Sequence, residues 1–139
     1  MGERLKNKIG IVTGAGSGIG RACALALGKE GARVALVGRR KDQIEKVAQE
    51  IGDQALAISA DVSNMGEIDR LLDQTVSRFG APNFLVNNAG VLHVGNVEQI
   101  TEEQWDHTFN LNVRALWLPS SLGIECPNSW LLLTSSLLL

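Results

Sequence analysis

The chain has 139 residues, 45% of them hydrophobic and 20% charged, which is the composition of one globular domain rather than of a disordered chain. With a formal net charge of −2 and no basic stripe, the sequence gives no indication of a nucleic-acid partner. The N-terminal residues lack the apolar segment of a signal peptide and no apolar stretch is long enough for a bilayer, so we expect a cytoplasmic protein without a membrane span.

Short apolar and β-branched runs alternate along the chain with stretches of helical periodicity. The apolar runs predict four strands, at residues 9–13, 33–37, 55–60 and 83–87. Apolar residues spaced three and four apart predict helices between and after these strands, at residues 19–27, 44–51, 68–79 and 100–116. The sequence therefore predicts strands and helices in strict alternation.

Cap signals support the ends of these helices. Asn64 with Glu67, and Thr101 with Gln104, stand three residues apart just before helical stretches, as in a capping box. Three glycines each follow a helical stretch and are expected to end it: Gly31, Gly52 and Gly80.

Strands that alternate with helices predict an α/β fold in which a parallel sheet is covered on both faces. Because crossovers between parallel strands are right-handed, the simplest topology is a Rossmann-type doubly wound sheet in the order 3-2-1-4. After residue 116 the amino-acid composition changes: residues 117–139 are rich in leucine and serine and include one charged residue, Glu125. We therefore expect a structured half at residues 1–116, an atypical tail at 117–139, and a sheet incomplete at its C-terminal side.

A glycine-rich loop joins the first predicted strand to the first predicted helix. Residues 13–20 read TGAGSGIG, with four glycines in the last seven positions. Glycine permits a tight turn in which backbone N–H groups approach a phosphate, and the N-terminus of the following helix adds a partial positive charge. A loop of this kind between a strand and a helix predicts a pyrophosphate site rather than a flexible turn.

The glycine loop resembles the TGxxxGxG fingerprint of short-chain dehydrogenases/reductases. Further stretches resemble the same family in the same order: Asp61-Val62 after the third strand, NNAG at residues 87–90, and Asn112 in FNLNV. The resemblance covers residues 5–116 and implies that residues 1–116 form a dinucleotide-binding Rossmann half, with Asn112 as a catalytic residue. The cofactor-binding residues that it implies are Gly14, Ser17, Gly18, Ile19, Gly20, Asp61, Val62, Asn88, Ala89 and Gly90.

The end of the second strand indicates which dinucleotide is bound. Dinucleotide folds hold the ribose 2′-hydroxyl with an acidic residue about 20 positions past the loop, whereas this strand ends in Gly38-Arg39-Arg40. An arginine forms charge-assisted hydrogen bonds with a 2′-phosphate. Arg39 and Arg40 therefore favour NADP(H) over NAD(H) as the cofactor; the alternative is a solvated basic turn.

The resembled family completes its catalytic group with a serine and a YxxxK motif, in which the tyrosine gives a proton to the carbonyl. This sequence contains no tyrosine. The stretch WLLLTSS at residues 130–136 resembles the strand before the family's serine, so Ser135 or Ser136 is the candidate for that role. We see no spacing for a metal site among the histidines and cysteines.

The resemblance implies an NAD(P)(H)-dependent oxidoreductase, NADP favoured, that acts on a small carbonyl compound or secondary alcohol. We expect this chain to be a truncated form that is inactive alone, its tail arising as a splice form, a frameshift or a fragment. The alternative is a non-catalytic nucleotide-binding isoform that pairs with full-length subunits in a homo- or hetero-oligomer.

Overall fold

The computed structural model of the chain describes residues 2–90, 98–109 and 131–134. In chain order the elements are β1 (Ile9–Thr13), α1 (Gly18–Lys29), β2 (Arg33–Gly38), α2 (Lys41–Ile51), β3 (Ala55–Ser59), α3 (Met65–Arg78), β4 (Phe84–Asn87), α4 (Glu102–Phe109) and β5 (Leu131–Thr134). All predicted strands and helices are present, with ends shifted by up to three residues within the described ranges. The predicted continuation of α4 to residue 116 lies outside those ranges.

The strands form one five-stranded sheet in the order β3-β2-β1-β4-β5, and each neighbouring pair is parallel. The predicted order 3-2-1-4 is therefore confirmed. β5 belongs to the segment that the sequence marked as a tail, and it pairs with β4 so that Asn87 lies opposite Thr134. The direction of winding reverses between β1 and β4, which creates a topological switch point at the C-terminal edge of the sheet.

The side chains of the strands pack into two apolar layers, one on each face of the sheet, because successive residues of a strand point to opposite faces. The layer against α3 contains Ile11, Ala35, Val37, Ile58, Ile68, Leu71 and Leu85. The layer against α1 and α2 contains Val12, Ala24, Val34, Leu36, Ile44, Val47, Phe84 and Val86. The sheet is thus covered on both faces, as the alternation of elements predicts.

The glycines predicted to end helices adopt the left-handed conformation that this role requires. Gly31, Gly52 and Gly80 have φ of 89°, 96° and 109°, values that side chains with a Cβ rarely adopt. The N–H of Gly31 donates to the Gly28 carbonyl at 3.1 Å, which closes the last turn of α1. No helix in the described part of the chain combines the length and the apolar character that a membrane crossing needs.

One of the two predicted capping boxes forms, and the other forms in part. Thr101 and Gln104 exchange side-chain-to-backbone hydrogen bonds, both at 3.1 Å. Asn64 Oδ1 accepts from the N–H groups of Gly66 at 2.9 Å and Glu67 at 3.3 Å. Glu67, however, accepts from the N–H of Asp61 at 2.7 Å, because the N–H of Asn64 already donates to the Asp61 carbonyl. Glu67 thereby ties α3 to the segment that follows β3.

Candidate functional site

A cleft of about 410 Å³ runs along the C-terminal edge of the sheet. Because the strands are parallel, the segments that follow β1, β2, β3 and β4 meet at this edge, where open α/β sheets bind ligands. The lining residues are Gly14, Gly16 and Ser17 after β1; Val37, Gly38, Arg39, Arg40, Gln43 and Ile44 from β2 into α2; Ala60, Asp61 and Val62 after β3; and Asn88, Ala89 and Gly90 after β4.

The buried hydroxyl of Thr13, at the end of β1, joins β1 to the turn that follows β4. It accepts hydrogen bonds from the backbone N–H groups of Asn88 at 3.0 Å and Ala89 at 3.1 Å. It donates to the carbonyl of Val86 at 3.3 Å. The side-chain amide of Asn88 in turn donates to the Gly14 carbonyl at 3.1 Å. The two loops on either side of the switch point are therefore fixed against each other.

The glycine loop requires glycine at different positions for different reasons. Gly14 has φ of 64°, and a Cβ on Gly20 would lie 2.1 Å from the Gly14 carbonyl oxygen, so the start of α1 passes too close for a side chain. Gly18 has φ of 55°, but a Cβ there would meet nothing within 4 Å. Position 18 thus needs glycine for its backbone conformation, and its open side leaves room for a ligand.

The turn after β2 is held from both sides by backbone hydrogen bonds. The N–H of Ala15 donates to the Val37 carbonyl, and the N–H of Ala60 donates to the Gly38 carbonyl, each at 3.1 Å. The exposed side chains of Arg39 and Arg40 follow directly. Fixed strand ends therefore carry two positive charges to the mouth of the cleft.

Asp61 is the acidic residue among those that line the cleft. Its Oδ1 accepts from the hydroxyl of Ser63 at 2.6 Å and from the N–H of Ser63 at 3.0 Å. Partial burial raises the pKa of Asp61, but the hydrogen bonds from Ser63 and the positive charges of Arg39 and His107 outweigh it, so the pKa lies below its ordinary value. Asp61 is accordingly a carboxylate at neutral pH.

The structure brings most of the predicted cofactor residues to this one cleft, and their role in binding stays a prediction. Gly18, Ile19 and Gly20 belong to the same loop but do not line the cavity. Six further residues line the cleft that the sequence analysis did not name as cofactor-binding: Gly16, Val37, Gly38, Gln43, Ile44 and Ala60. Three of these residues could have been predicted from the sequence, because Gly16, Gly38 and Ala60 are small residues at or soon after the ends of predicted strands.

The predicted catalytic residues lie outside the described part of the chain. This applies to Asn112 and to both serine candidates, Ser135 and Ser136. β5 ends at Thr134, so the structure describes the strand that leads to the serines but not the serines themselves. Within the described ranges, no three histidine, cysteine or acidic side chains are grouped as metal ligands.

The family model and the most similar curated proteins that we compared agree on one family. A family model described as short chain dehydrogenase matches residues 8–126. The short chain dehydrogenase mdpC of Emericella nidulans is 42% identical over 116 residues, which are 81% of this chain and 44% of that protein. The versicolorin reductase stcU of the same species is 40% identical over 115 residues, 80% of this chain and 44% of that protein. The chain thus spans less than half the length of these curated relatives.

Solved structures agree with the sequence comparison. A 3-ketoacyl-(acyl-carrier-protein) reductase from Brucella melitensis, complexed with NADH, superposes with a TM-score of 0.81 at 42% identity, over 84% of this chain and 48% of that one. A mutant short-chain dehydrogenase/reductase from Serratia marcescens gives a TM-score of 0.79 at 36% identity, over 84% of this chain and 49% of that one.

Replacing Thr13 with Val tests whether its hydroxyl holds the two loops together. The variant keeps the shape of the side chain but leaves the N–H groups of Asn88 and Ala89 without their acceptor. We expect the free energy of unfolding, measured by urea denaturation, to fall by about 1–3 kcal/mol. Thr13→Ser keeps the hydroxyl and serves as the control. An equal loss in both variants would show that packing of the methyl group, not the hydroxyl, holds the turn.

Proposed function

The chain belongs to the short-chain dehydrogenase family, and on that premise we propose that it is the cofactor-binding part of an NAD(P)(H)-dependent oxidoreductase. The reaction class is hydride transfer between the dinucleotide and a small carbonyl compound or secondary alcohol, with NADP(H) favoured over NAD(H). The observation that carries the proposal is the cleft at the switch point, built from the glycine loop and the turn after β4 and fixed by Thr13.

The residues of the glycine loop fit a pyrophosphate. Ser17 precedes α1 in an extended conformation, and its side chain does not cap the N–H groups of the helix. No acidic side chain stands in the first turn of α1, so nothing there repels an anion. Together with the open side of Gly18, helix N-terminal N–H groups that the N-cap side chain leaves uncapped are suited to binding a phosphate. When bound, the dinucleotide supplies or accepts the hydride.

Arg39 and Arg40 support the preference for NADP(H). They line the cleft at the end of β2, where dinucleotide folds place the adenosine ribose. The carboxylate of Asp61 faces the same cleft after β3, but Ser63 holds its Oδ1 within the turn. We assign Asp61 and Val62 to the adenine side of the cofactor, in line with the family resemblance.

These 139 residues contain no tyrosine, and this favours a second candidate function. We therefore weigh a chain that binds dinucleotide without turning it over, either as a nucleotide-binding protein or in association with complete subunits. Asn112 and Ser135 or Ser136 remain the proposed catalytic residues of the oxidoreductase, together with a proton donor outside these 139 positions.

Gly18→Val tests the proposed pyrophosphate site. A branched side chain at a positive φ strains the loop and fills the open space above it, so we expect the affinity for NADPH to fall at least about tenfold in calorimetric titration. Gly52→Val is the matched control, because Gly52 also has a positive φ and open space around its Cβ position but lies at the end of α2. Unchanged NADPH affinity in Gly18→Val would contradict the site.

Arg39→Ala tests the cofactor preference. Losing a charge-assisted hydrogen bond with a 2′-phosphate should weaken NADPH binding by about 1.5–3 kcal/mol and leave NADH binding nearly unchanged. Arg33→Ala removes the same charge from the opposite end of β2 and should affect neither dinucleotide. Equal weakening of NADPH and NADH by Arg39→Ala would refute the assignment.

The purified 139-residue chain should show no substantial carbonyl-reductase turnover. Hydride transfer to a ketone builds negative charge on oxygen, and a positioned acid contributes about 10²–10⁴-fold in rate; the family's tyrosine is absent here. The measurement is NADPH oxidation against a panel of ketones and aldehydes. Binding without turnover is the expected result for both candidates, whereas turnover near the typical enzyme value of about 10 s⁻¹ would mean that another residue replaces the tyrosine.

A further inference from the structure

The hydroxyl of Ser59, the last residue of β3, connects that strand to the turn that carries Arg39. Ser59 Oγ donates a hydrogen bond to the Arg39 carbonyl at 3.3 Å. The preceding carbonyl of the turn, that of Gly38, accepts from the backbone N–H of Ala60 at 3.1 Å. The contact with Arg39 is thus made by a side chain, so a substitution at position 59 can remove it while the backbone contact stays.

Two side chains of α3 hold the backbone on which this hydroxyl stands. Arg70, in the second turn of the helix, donates to the Ser59 carbonyl at 2.5 Å, and its Nη2 lies 3.6 Å from Oε1 of Glu67. Glu67 in turn accepts from the N–H of Asp61 at 2.7 Å. The exit of β3 therefore has partners on the helix at both Ser59 and Asp61, and the Ser59 hydroxyl has a defined position.

Arg39 needs such a contact because its backbone lies past the end of the ladder. The last paired position of β2 and β3 is Gly38 opposite Ser59, and Arg39 follows it. Among the described residues, Arg39 and Ala60 line the cleft, and the Ser59 side chain does not. A side chain whose backbone is already held loses less conformational freedom when it binds a ligand. The hydroxyl of Ser59 thus bears on a ligand through the arginine that it holds.

We propose that Ser59 is a positioning residue for cofactor preference, whose hydroxyl fixes the backbone of Arg39 so that the guanidinium meets the 2′-phosphate of NADP(H). The inference rests on the proposed function, which assigns that phosphate to Arg39. A guanidinium binds a phosphate through charge and matched geometry, so its placement affects the affinity for NADP(H). The 2′-hydroxyl of NAD(H) carries no charge and gains little from the same placement. Ser59 therefore raises the affinity for NADP(H) selectively.

Ser59→Ala tests this role, with NADPH and NADH as separate probes in calorimetric titration. We expect the NADPH-to-NADH affinity ratio to fall about threefold, because one neutral hydrogen bond is lost and the backbone of Arg39 gains freedom. Ser59→Thr keeps the hydroxyl and should keep the ratio of the unmodified chain. Ser77→Ala removes a serine hydroxyl from an exposed position on α3 and should also leave the ratio unchanged.

A double-mutant cycle shows whether Ser59 acts through Arg39. In an Arg39→Ala background, Ser59→Ala should lower neither affinity further, because the guanidinium that the hydroxyl positions is gone. A loss of NADPH affinity that persists in this background would overturn the proposal, since the hydroxyl would then act on the fold or on another part of the cleft. An equal loss of NADPH and NADH affinity in Ser59→Ala would overturn it as well.

The experiment separates this inference from the proposed function. If the unmodified 139-residue chain binds neither dinucleotide, the proposed function fails and the role of Ser59 fails with it. If the chain binds but Arg39→Ala leaves the affinity ratio unchanged, the assignment of Arg39 fails, again together with the role of Ser59. If Arg39→Ala lowers the ratio and Ser59→Ala does not, the role of Ser59 alone is refuted. Circular dichroism establishes which variants fold, and Ser59→Val is a second variant without the hydroxyl, with the same expected direction.

Discussion

The hydroxyl of Thr13 bonds one backbone group within β4 and two in the segment that follows it, and the geometry of the cleft depends on that connection. β1 and β4 are neighbours in the sheet, but their loops leave the edge on opposite sides of the switch point. A parallel ladder alone does not fix the loops, because its hydrogen bonds end with the strands. The Thr13 hydroxyl and the Asn88 amide extend the connection past the last ladder positions. Gly14 and Gly20 can then approach each other closely, which sets where α1 begins.

The fold was predictable because its determinants are local and repeated along the chain. β-branched runs such as residues 9–13 have a length and composition typical of a buried strand, and each is followed by a stretch whose apolar residues recur every three to four positions. Gly31, Gly52 and Gly80 mark the helix ends through a positive φ, which is a property of a single residue. The handedness of crossovers then leaves the order 3-2-1-4, and β5 adds to it at the edge beside β4.

The site was less predictable than the fold, since part of it depends on contacts between elements. The glycine loop and the NNAG turn carry motifs, but Gln43 and Ile44 reach the cleft only because α2 packs over Gly16. Helical periodicity marks Ile44 as a core residue and says nothing about which neighbour its helix covers. Glu67 is a similar case: its spacing from Asn64 predicts a capping box, yet the N–H that is free to donate belongs to Asp61. Such pairings are decided by competition among nearby donors, which spacing does not record.

The charges that line the cleft affect the binding of an anion, whereas the rate of hydride transfer depends on groups at the reacting carbonyl. Asp61 is held within its own turn by Ser63, whereas Arg39 and Arg40 are exposed, so an approaching anion meets mostly positive charge. Attraction of this kind acts on the adenosine end of a dinucleotide, which does not change during hydride transfer. Binding that is equal in the ground state and in the transition state raises affinity but does not accelerate the chemical step. Turnover depends instead on a group that gives or takes a proton at the reacting oxygen. In the proposed function the two arginines therefore bear on which dinucleotide is bound and not on the rate of the chemical step.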